Sequence, residues 1–174
     1  MQSTLDQLFK DKTISNKAKT EHLSEWLLKG SLDIPNWLAA AERAKDPVKA
    51  SLIEAMEFAS KQTPGIADEK VLQFVSAQLE AKAPRIKWES AKVIGNIAHL
   101  FPDKLETAIA LLLKNAEDEG TVVRWSAGFA LGEILKLKTP YNAALIPAVK
   151  AICEREEKNS IRKFYTTALK KIGA

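Results

Sequence analysis

Four stretches of the 174-residue chain share one pattern of apolar and polar positions. They begin at Val48, Ile86, Val123 and Ile161, at intervals of 38, 37 and 38 residues. Each opens with a β-branched residue followed by a base, and apolar residues recur at offsets 7, 8 and 11 from that opening. Offsets 0, 7, 8 and 11 lie within about 100° of one another on a helix, so each stretch predicts a helix with one apolar stripe. The regular interval is typical of a repeat protein.

The segments between these stretches also have helical spacing, and turns that contain proline or glycine separate them. No segment alternates apolar and polar residues as a half-buried strand does. The pattern therefore predicts an all-α fold of ten helices in five antiparallel pairs. One pair cannot bury its own stripe, so the pairs must stack on one another. We expect a right-handed α-α superhelix, or α-solenoid, that forms one domain. Its predicted divisions are an N-terminal cap pair (1–32) and repeats at about 33–62, 67–100, 103–137 and 141–174.

The composition agrees with a globular protein of the cytoplasm. Apolar residues make up 46% of the chain, which is enough to bury a substantial core. A single cysteine, Cys153, excludes an internal disulfide framework and favours a reducing compartment. No apolar run approaches the roughly 20 residues of a membrane span, and no signal-peptide pattern opens the sequence. A net charge of +4 is only a weak indication of an acidic partner such as nucleic acid.

The repeating pattern resembles that of HEAT-repeat proteins over roughly residues 33 to 174. The resemblance is carried by the Val/Ile-Arg/Lys openings, the Ala-Leu or similar pair that follows each of them, and a proline inside a predicted first helix, Pro147. HEAT units often have an aspartate just before the opening, and here only Asp46 provides it. The resemblance implies that the second helix of each pair lines a concave surface, and it says little about function.

Aromatic and basic residues occupy the predicted concave positions. Offsets 2, 6, 9 and 13 lie opposite the apolar stripe, and the candidate partner-binding residues there are Trp88, Lys92, Trp125, Phe129 and Lys136. Gly95 and Gly132 lie two turns after the two tryptophans. These features fit two interpretations. The aromatic side chains either form an exposed groove or wedge between neighbouring helices, and a close approach would explain the glycines in both.

No catalytic constellation or cofactor motif is present, so we predict neither catalytic residues nor a cofactor. Glu54 and Glu57 lie three residues apart on a helix, and we expect them to face solvent. His22 and His99 lack partners at metal-ligand spacing, so no metal site is predicted. The basic residues at offset 1 are expected to pair with acids in neighbouring turns, such as those at 117–119.

Two functions fit these features. The first is a non-enzymatic scaffold that recognises a protein or peptide on its concave face, because aromatic residues dominate interface energetics. The alternative is nucleic-acid binding, since bases interleaved with aromatic residues suit backbone contact and stacking. Some HEAT-like proteins are alkylpurine DNA glycosylases, but the tryptophan and aspartate catalytic residues of that family have no counterpart in this sequence. Neither the identity of the partner nor the oligomeric state follows from the residues.

Overall fold

The computed structural model describes all residues 1–174 and contains ten α-helices and no strand. Single 3₁₀ turns at Pro64–Ile66 and Ala98–Leu100 lie between helices. The helices are α1 (Gln2–Lys10), α2 (Asn16–Leu28), α3 (Ile34–Arg43), α4 (Asp46–Gln62), α5 (Glu69–Gln78), α6 (Pro84–Ile97), α7 (Glu106–Asn115), α8 (Thr121–Lys136), α9 (Asn142–Arg155) and α10 (Asn159–Ile172). The prediction of an all-α fold with ten helices is confirmed.

Several helices begin at residues whose side chains satisfy a free backbone N–H. Ser15, Asp33 and Asp68 each accept a hydrogen bond from the N–H three residues later, at 3.1, 2.9 and 3.1 Å. Prolines occupy the first turns of α3, α4 and α6, where a missing N–H removes no helical hydrogen bond. Pro147 lies inside α9, as the resemblance implied.

The predicted apolar stripe is the buried stripe of the structure. Of the sixteen residues at offsets 0, 7, 8 and 11, only Val48 and Ile172 are partly exposed, and the other fourteen are buried. Offset 4 is buried in all four copies, where Leu52, Ser90, Ala127 and Tyr165 lie. Nearly all of the stripe belongs to one continuous core of 42 buried residues. The stacked pairs therefore share a single interior, as a repeat architecture requires.

The helices form two layers that pack differently. The even-numbered helices, here called the inner layer, contact one another extensively in the order α2, α4, α6, α8, α10. Contacts among the odd-numbered helices of the outer layer are sparse. Closer packing in one layer favours curvature of the stack toward that layer, so we expect the exposed side of the inner layer to be the concave face. We call this surface the inner face.

Buried polar side chains tie elements together at specific points. The indole N–H of Trp37 in α3 donates to the backbone carbonyl of Leu52 in α4 at 2.9 Å. The Trp37 ring also meets Phe74 of α5 edge to face, with ring centroids 5.6 Å apart. The Asn115 amide donates to the Leu79 carbonyl at 3.1 Å. The first contact joins the two helices of one pair, and the other two join successive pairs.

Candidate functional site

Three aromatic rings from two neighbouring helices meet on the inner face. Trp125 and Phe129 of α8 are stacked with centroids 6.3 Å apart, and both rings meet Phe164 of α10 edge to face, at 5.0 and 6.0 Å. Trp125 is 37% exposed, whereas Phe129 and Phe164 are half-buried. We call these three residues the aromatic cluster. The partly exposed tryptophan ring therefore packs against two half-buried phenylalanine rings.

The glycines of the inner layer make room for the phenylalanines of this cluster. The Phe129 ring lies directly against the Cα of Gly95 in α6, in the space that a Cβ at Gly95 would fill. A Cβ at Gly132 would lie 3.2 Å from the backbone oxygen of Phe164. Gly95 therefore admits a side chain of the next helix, and Gly132 admits the next backbone. Neither glycine opens a space beside Trp88 or Trp125, so both have the close-packing explanation.

Both interpretations of the aromatic residues apply, each to different side chains. Phe129 is wedged between α6 and α8, while Trp125 keeps more than a third of its surface in solvent. Trp88 is half-buried and does not join the aromatic cluster. Its indole N–H instead donates to the carboxylate of Glu89 at 2.9 Å.

A second group of charged side chains lies on α4 and α6. It contains Glu54 and Glu57 from α4 and Arg85, Glu89 and Lys92 from α6, and we call these five residues the carboxylate cluster. The Lys92 ammonium lies 3.2 Å from Glu89 and 3.8 Å from Glu57, and Arg85 pairs with Glu54. Burial raises the pKa of Glu89 above its usual range, and the nearby Glu54 carboxylate adds to this, whereas Lys92 and the Trp88 N–H act in the opposite direction.

The expectation that Glu54 and Glu57 face solvent is wrong for Glu57, which is only 6% exposed, and Glu54 is half-buried. Hydrophobic periodicity also does not identify Glu89 and Phe164 as candidate site residues. Both lie at offset 3, a position that is buried in the first three copies and half-buried in the last. An inner helix has a neighbour on each side, so its buried arc is wider than one apolar stripe. Offset 3 is occupied by two serines, a glutamate and a phenylalanine, so the sequence shows no apolar pattern that would predict burial there.

The two predicted lysines lie beside acids. Lys92 is held by the carboxylate cluster, and the Lys136 ammonium lies 2.6 Å from Glu133. Their positive charges are therefore largely compensated within the protein. Three other lysines at the predicted concave offsets, Lys61 at the end of α4 and Lys163 and Lys170 on α10, form no ion pair and are exposed.

Ion pairs also link successive pairs of helices along the loops. Lys87 lies 3.0 Å from Asp118, and the guanidinium of Arg124 lies 3.0 Å from Glu156. Each base follows the opening residue of one copy, and each acid precedes the next opening by five residues. The expected pairing of the offset-1 bases with acids in neighbouring turns is confirmed for these two, whereas Lys49 forms no ion pair and Arg162 donates to the backbone carbonyl of Glu156. Although burial alone would raise them, the pKa values of Asp118 and Glu156 are lowered by backbone N–H groups and by these cations.

No protein-family model and no curated protein matches the chain. Solved structures do resemble it. A chain from the complex of CpcE and CpcF of phycocyanin lyase from Nostoc sp. PCC7120 is 18% identical, with a TM-score of 0.72 over 97% of this chain and 99% of that one. A designed armadillo repeat protein is 16% identical, with a TM-score of 0.73 over 97% of this chain and 80% of that one.

A second designed armadillo repeat protein, in complex with the peptide (KR)4, is 17% identical, with a TM-score of 0.71 over 96% of this chain and 80% of that chain. These likenesses establish the fold as a HEAT- or armadillo-like α-solenoid, a helical repeat scaffold. At this level of identity they establish nothing further. No helix has the length and apolar character needed to cross a membrane.

Proposed function

We propose that the protein is a non-enzymatic scaffold that binds a protein or peptide partner on its inner face. The observation that carries this proposal is the aromatic cluster, in which Trp125 is 37% exposed on the best-packed layer of the molecule. A large ring that is already fixed in place loses little conformational entropy on binding, so it can serve as an interface anchor. Trp88, Lys92, Phe129 and Lys136 would border or support the same surface.

The comparison with designed armadillo proteins supports this choice of surface. One of them is in complex with a peptide, and this chain shares its fold over 96% of its length. A curved stack of parallel helices offers an extended surface along which a peptide can lie. The shared fold supports a peptide as the class of partner. The choice of contact residues rests on the side chains of this chain alone.

Nucleic-acid binding is the alternative, and ion pairs disfavour it at Lys92 and Lys136, whereas Lys61, Lys163 and Lys170 stay unpaired. Lys92 and Lys136 are both engaged by carboxylates, so a phosphate would have to compete with acids already in place. When basic side chains bind phosphates, counterions are released from the nucleic acid, so the affinity for nucleic acid falls steeply as the salt concentration rises. We expect a labelled single-stranded oligonucleotide to bind weakly at about 50 mM salt and to be lost at about 200 mM. Tight binding with a steep salt dependence would favour the alternative.

The proposed function can be tested with a random 12-residue peptide library displayed on phage and panned on the full chain. We expect enriched peptides that carry an aromatic or large aliphatic residue. Trp125→Ala should weaken the selected peptides about tenfold or more, as loss of an anchor does, with a nearly unchanged melting temperature. Leu100→Ala is the matched control, because Leu100 is 39% exposed and lies beyond the opposite end of the inner helices. Absence of enrichment, or equal losses in both variants, would contradict the proposal.

A further inference from the structure

Glu57 lacks a hydrogen-bond donor although its side chain is 93% buried, being only 7% exposed. Its one charged neighbour is Lys92, whose ammonium is 3.8 Å from the carboxylate, and no hydrogen bond to that carboxylate forms. The carboxylate oxygens are not completely enclosed by protein. The fully buried side-chain atoms without a hydrogen-bond partner belong to other residues. A charge that is buried without donors is costly. The Glu57 carboxylate is therefore an incompletely satisfied group that keeps a small contact with solvent.

The charges of the carboxylate cluster do not balance. Three carboxylates, of Glu54, Glu57 and Glu89, face two cations, of Arg85 and Lys92. Arg85 is committed to Glu54, so Glu57 and Glu89 share the single ammonium of Lys92. One more positive charge would therefore neutralise the cluster. These acids are not arranged as a set of metal ligands, so an organic cation is the complementary ligand.

We propose that the carboxylate cluster receives one lysine or arginine side chain of the partner, next to the anchor site at the aromatic cluster. This inference rests on the proposed function and specifies the chemistry of the partner. An ammonium or guanidinium at Glu57 would supply the missing hydrogen bonds to a carboxylate that is already desolvated. The partner segment thus combines a basic residue with an apolar one.

The layer geometry also sets the distance between the two residues of the partner. Neighbouring packed helices are about 8–10 Å apart. The carboxylate cluster lies between α4 and α6, and Trp125 lies on α8, about one and a half helix spacings further along. Glu57 lies at offset 9 and Trp125 at offset 2, so they are also displaced by about 10 Å along the helix axes. With about 12–15 Å across the helices, the separation is about 16–18 Å, which about five residues of an extended chain span. A base about five positions from an apolar anchor is the expected motif.

The test uses peptides enriched by panning the phage library on the full chain, in a double-mutant cycle. One selected peptide is synthesised with its basic residue intact and with norleucine in its place, which removes the charge from the same stem. We expect the norleucine change to weaken binding to the wild-type protein about tenfold or more, as loss of a charged hydrogen bond does. Against Glu57→Gln the same change should have little effect, since the two groups interact with each other.

Glu133→Gln is the matched control, because it removes an acid on α8 that lies outside the cluster. In this variant the norleucine penalty should equal that of the wild type. Glu89→Gln provides a second variant should Glu57→Gln fold poorly, as judged by its melting temperature. An equal penalty in wild type, Glu57→Gln and Glu89→Gln would overturn the inference, as would enriched peptides with an apolar anchor and no excess of basic residues. Both results would leave the proposed function standing, whereas a library without enrichment would remove both.

Discussion

Leu131 is completely enclosed in the middle of α8, where the inner layer is packed on both sides. Leu131→Ala should lower the free energy of unfolding by about 2 to 5 kcal/mol, because it loses apolar contact and leaves a cavity. Urea denaturation measures the change. Val122→Ala is the control on the same helix, since Val122 is 50% exposed, and it should cost no more than about 0.5 kcal/mol. Similar losses in the two variants would contradict the observed register of α8.

Substitution of Gly95 tests the contact that holds Phe129 in the aromatic cluster. In Gly95→Ala the new methyl group occupies the space of the Phe129 ring, so the ring must move. Overpacking costs about 1 to 3 kcal/mol, which exceeds the gain of about 1 kcal/mol from replacing a helical glycine by alanine. We expect a net loss of stability and weaker binding of the selected peptides. Melting curves and peptide titrations measure the two effects.

The control for this substitution is Gly65→Ala, because a Cβ at Gly65 would have no atom within 4 Å. It should leave both stability and peptide binding essentially unchanged. If Gly95→Ala is instead more stable and binds peptides normally, then the Phe129 ring yields without cost and is not a fixed part of the surface.

At the scale of the element, the sequence predicted where each inner helix lies and which stripe it buries. It did not predict the surfaces by which neighbouring inner helices contact each other. The spacing of offsets 0, 7, 8 and 11 predicts that they belong to the core, and these positions are buried or nearly so. The burial of Glu57 and Glu89 was missed, because the contact of one inner helix with the next depends on how the pairs stack. Hydrophobic periodicity describes one helix at a time. It carries no information on polar groups that become buried between two helices.

The loop ion pairs predict a pH dependence for the stacking of α8 on α10. Glu156 accepts from Arg124 and from the Lys158 N–H, at 3.0 and 2.9 Å, and its pKa is lowered in the folded protein. A lowered pKa means that the carboxylate stabilises the fold above its unfolded pKa of about 4.3. That contribution is lost as the pH falls through the folded pKa. Glu156→Gln should therefore destabilise the protein at pH 7.

The same substitution should have a smaller effect near pH 3, since the stabilisation from a carboxylate with a lowered pKa declines below its unfolded pKa. Urea midpoints at the two pH values measure this difference. Glu157→Gln is the control, because Glu157 is the exposed neighbour and forms no ion pair. A loss of stability in Glu156→Gln that is the same at both pH values would show that packing, and not the charge, is responsible.

At the scale of the whole molecule, the repeat interval predicted the architecture. Intervals of 37 and 38 residues fit one helical pair per repeat, and a repeated apolar stripe can be buried only by stacking. The division into a cap pair and four repeats stays a prediction, as does the set of partner-binding residues. The partner surface depends on which residues of different copies come together, such as Gly95 with Phe129, and no single copy contains that information.

A stack of this kind should not be equally stable along its length. Inner helices α6 and α8 are packed between neighbours on both sides, whereas α1 lies at one end and buries only Leu5 and Leu8. Since each pair is stabilised by its nearest neighbours, opening should begin at the ends. We expect backbone amides of α6 and α8 to exchange hydrogen most slowly and those of α1 most rapidly. Native-state hydrogen exchange followed by NMR or mass spectrometry measures this gradient.

Leu131→Ala makes the same experiment sharper, because it weakens the stack at α8. Protection should then fall in α8 and α10, which contact each other directly, and persist in α2 and α4 at the other side of the stack. If destabilisation passes only between neighbouring pairs, protection must fall more in α8 and α10 than in α2 and α4. If protection instead decreased by the same factor in all ten helices, the chain would unfold as a single cooperative unit, and the stability of one repeat would not be separable from that of the others.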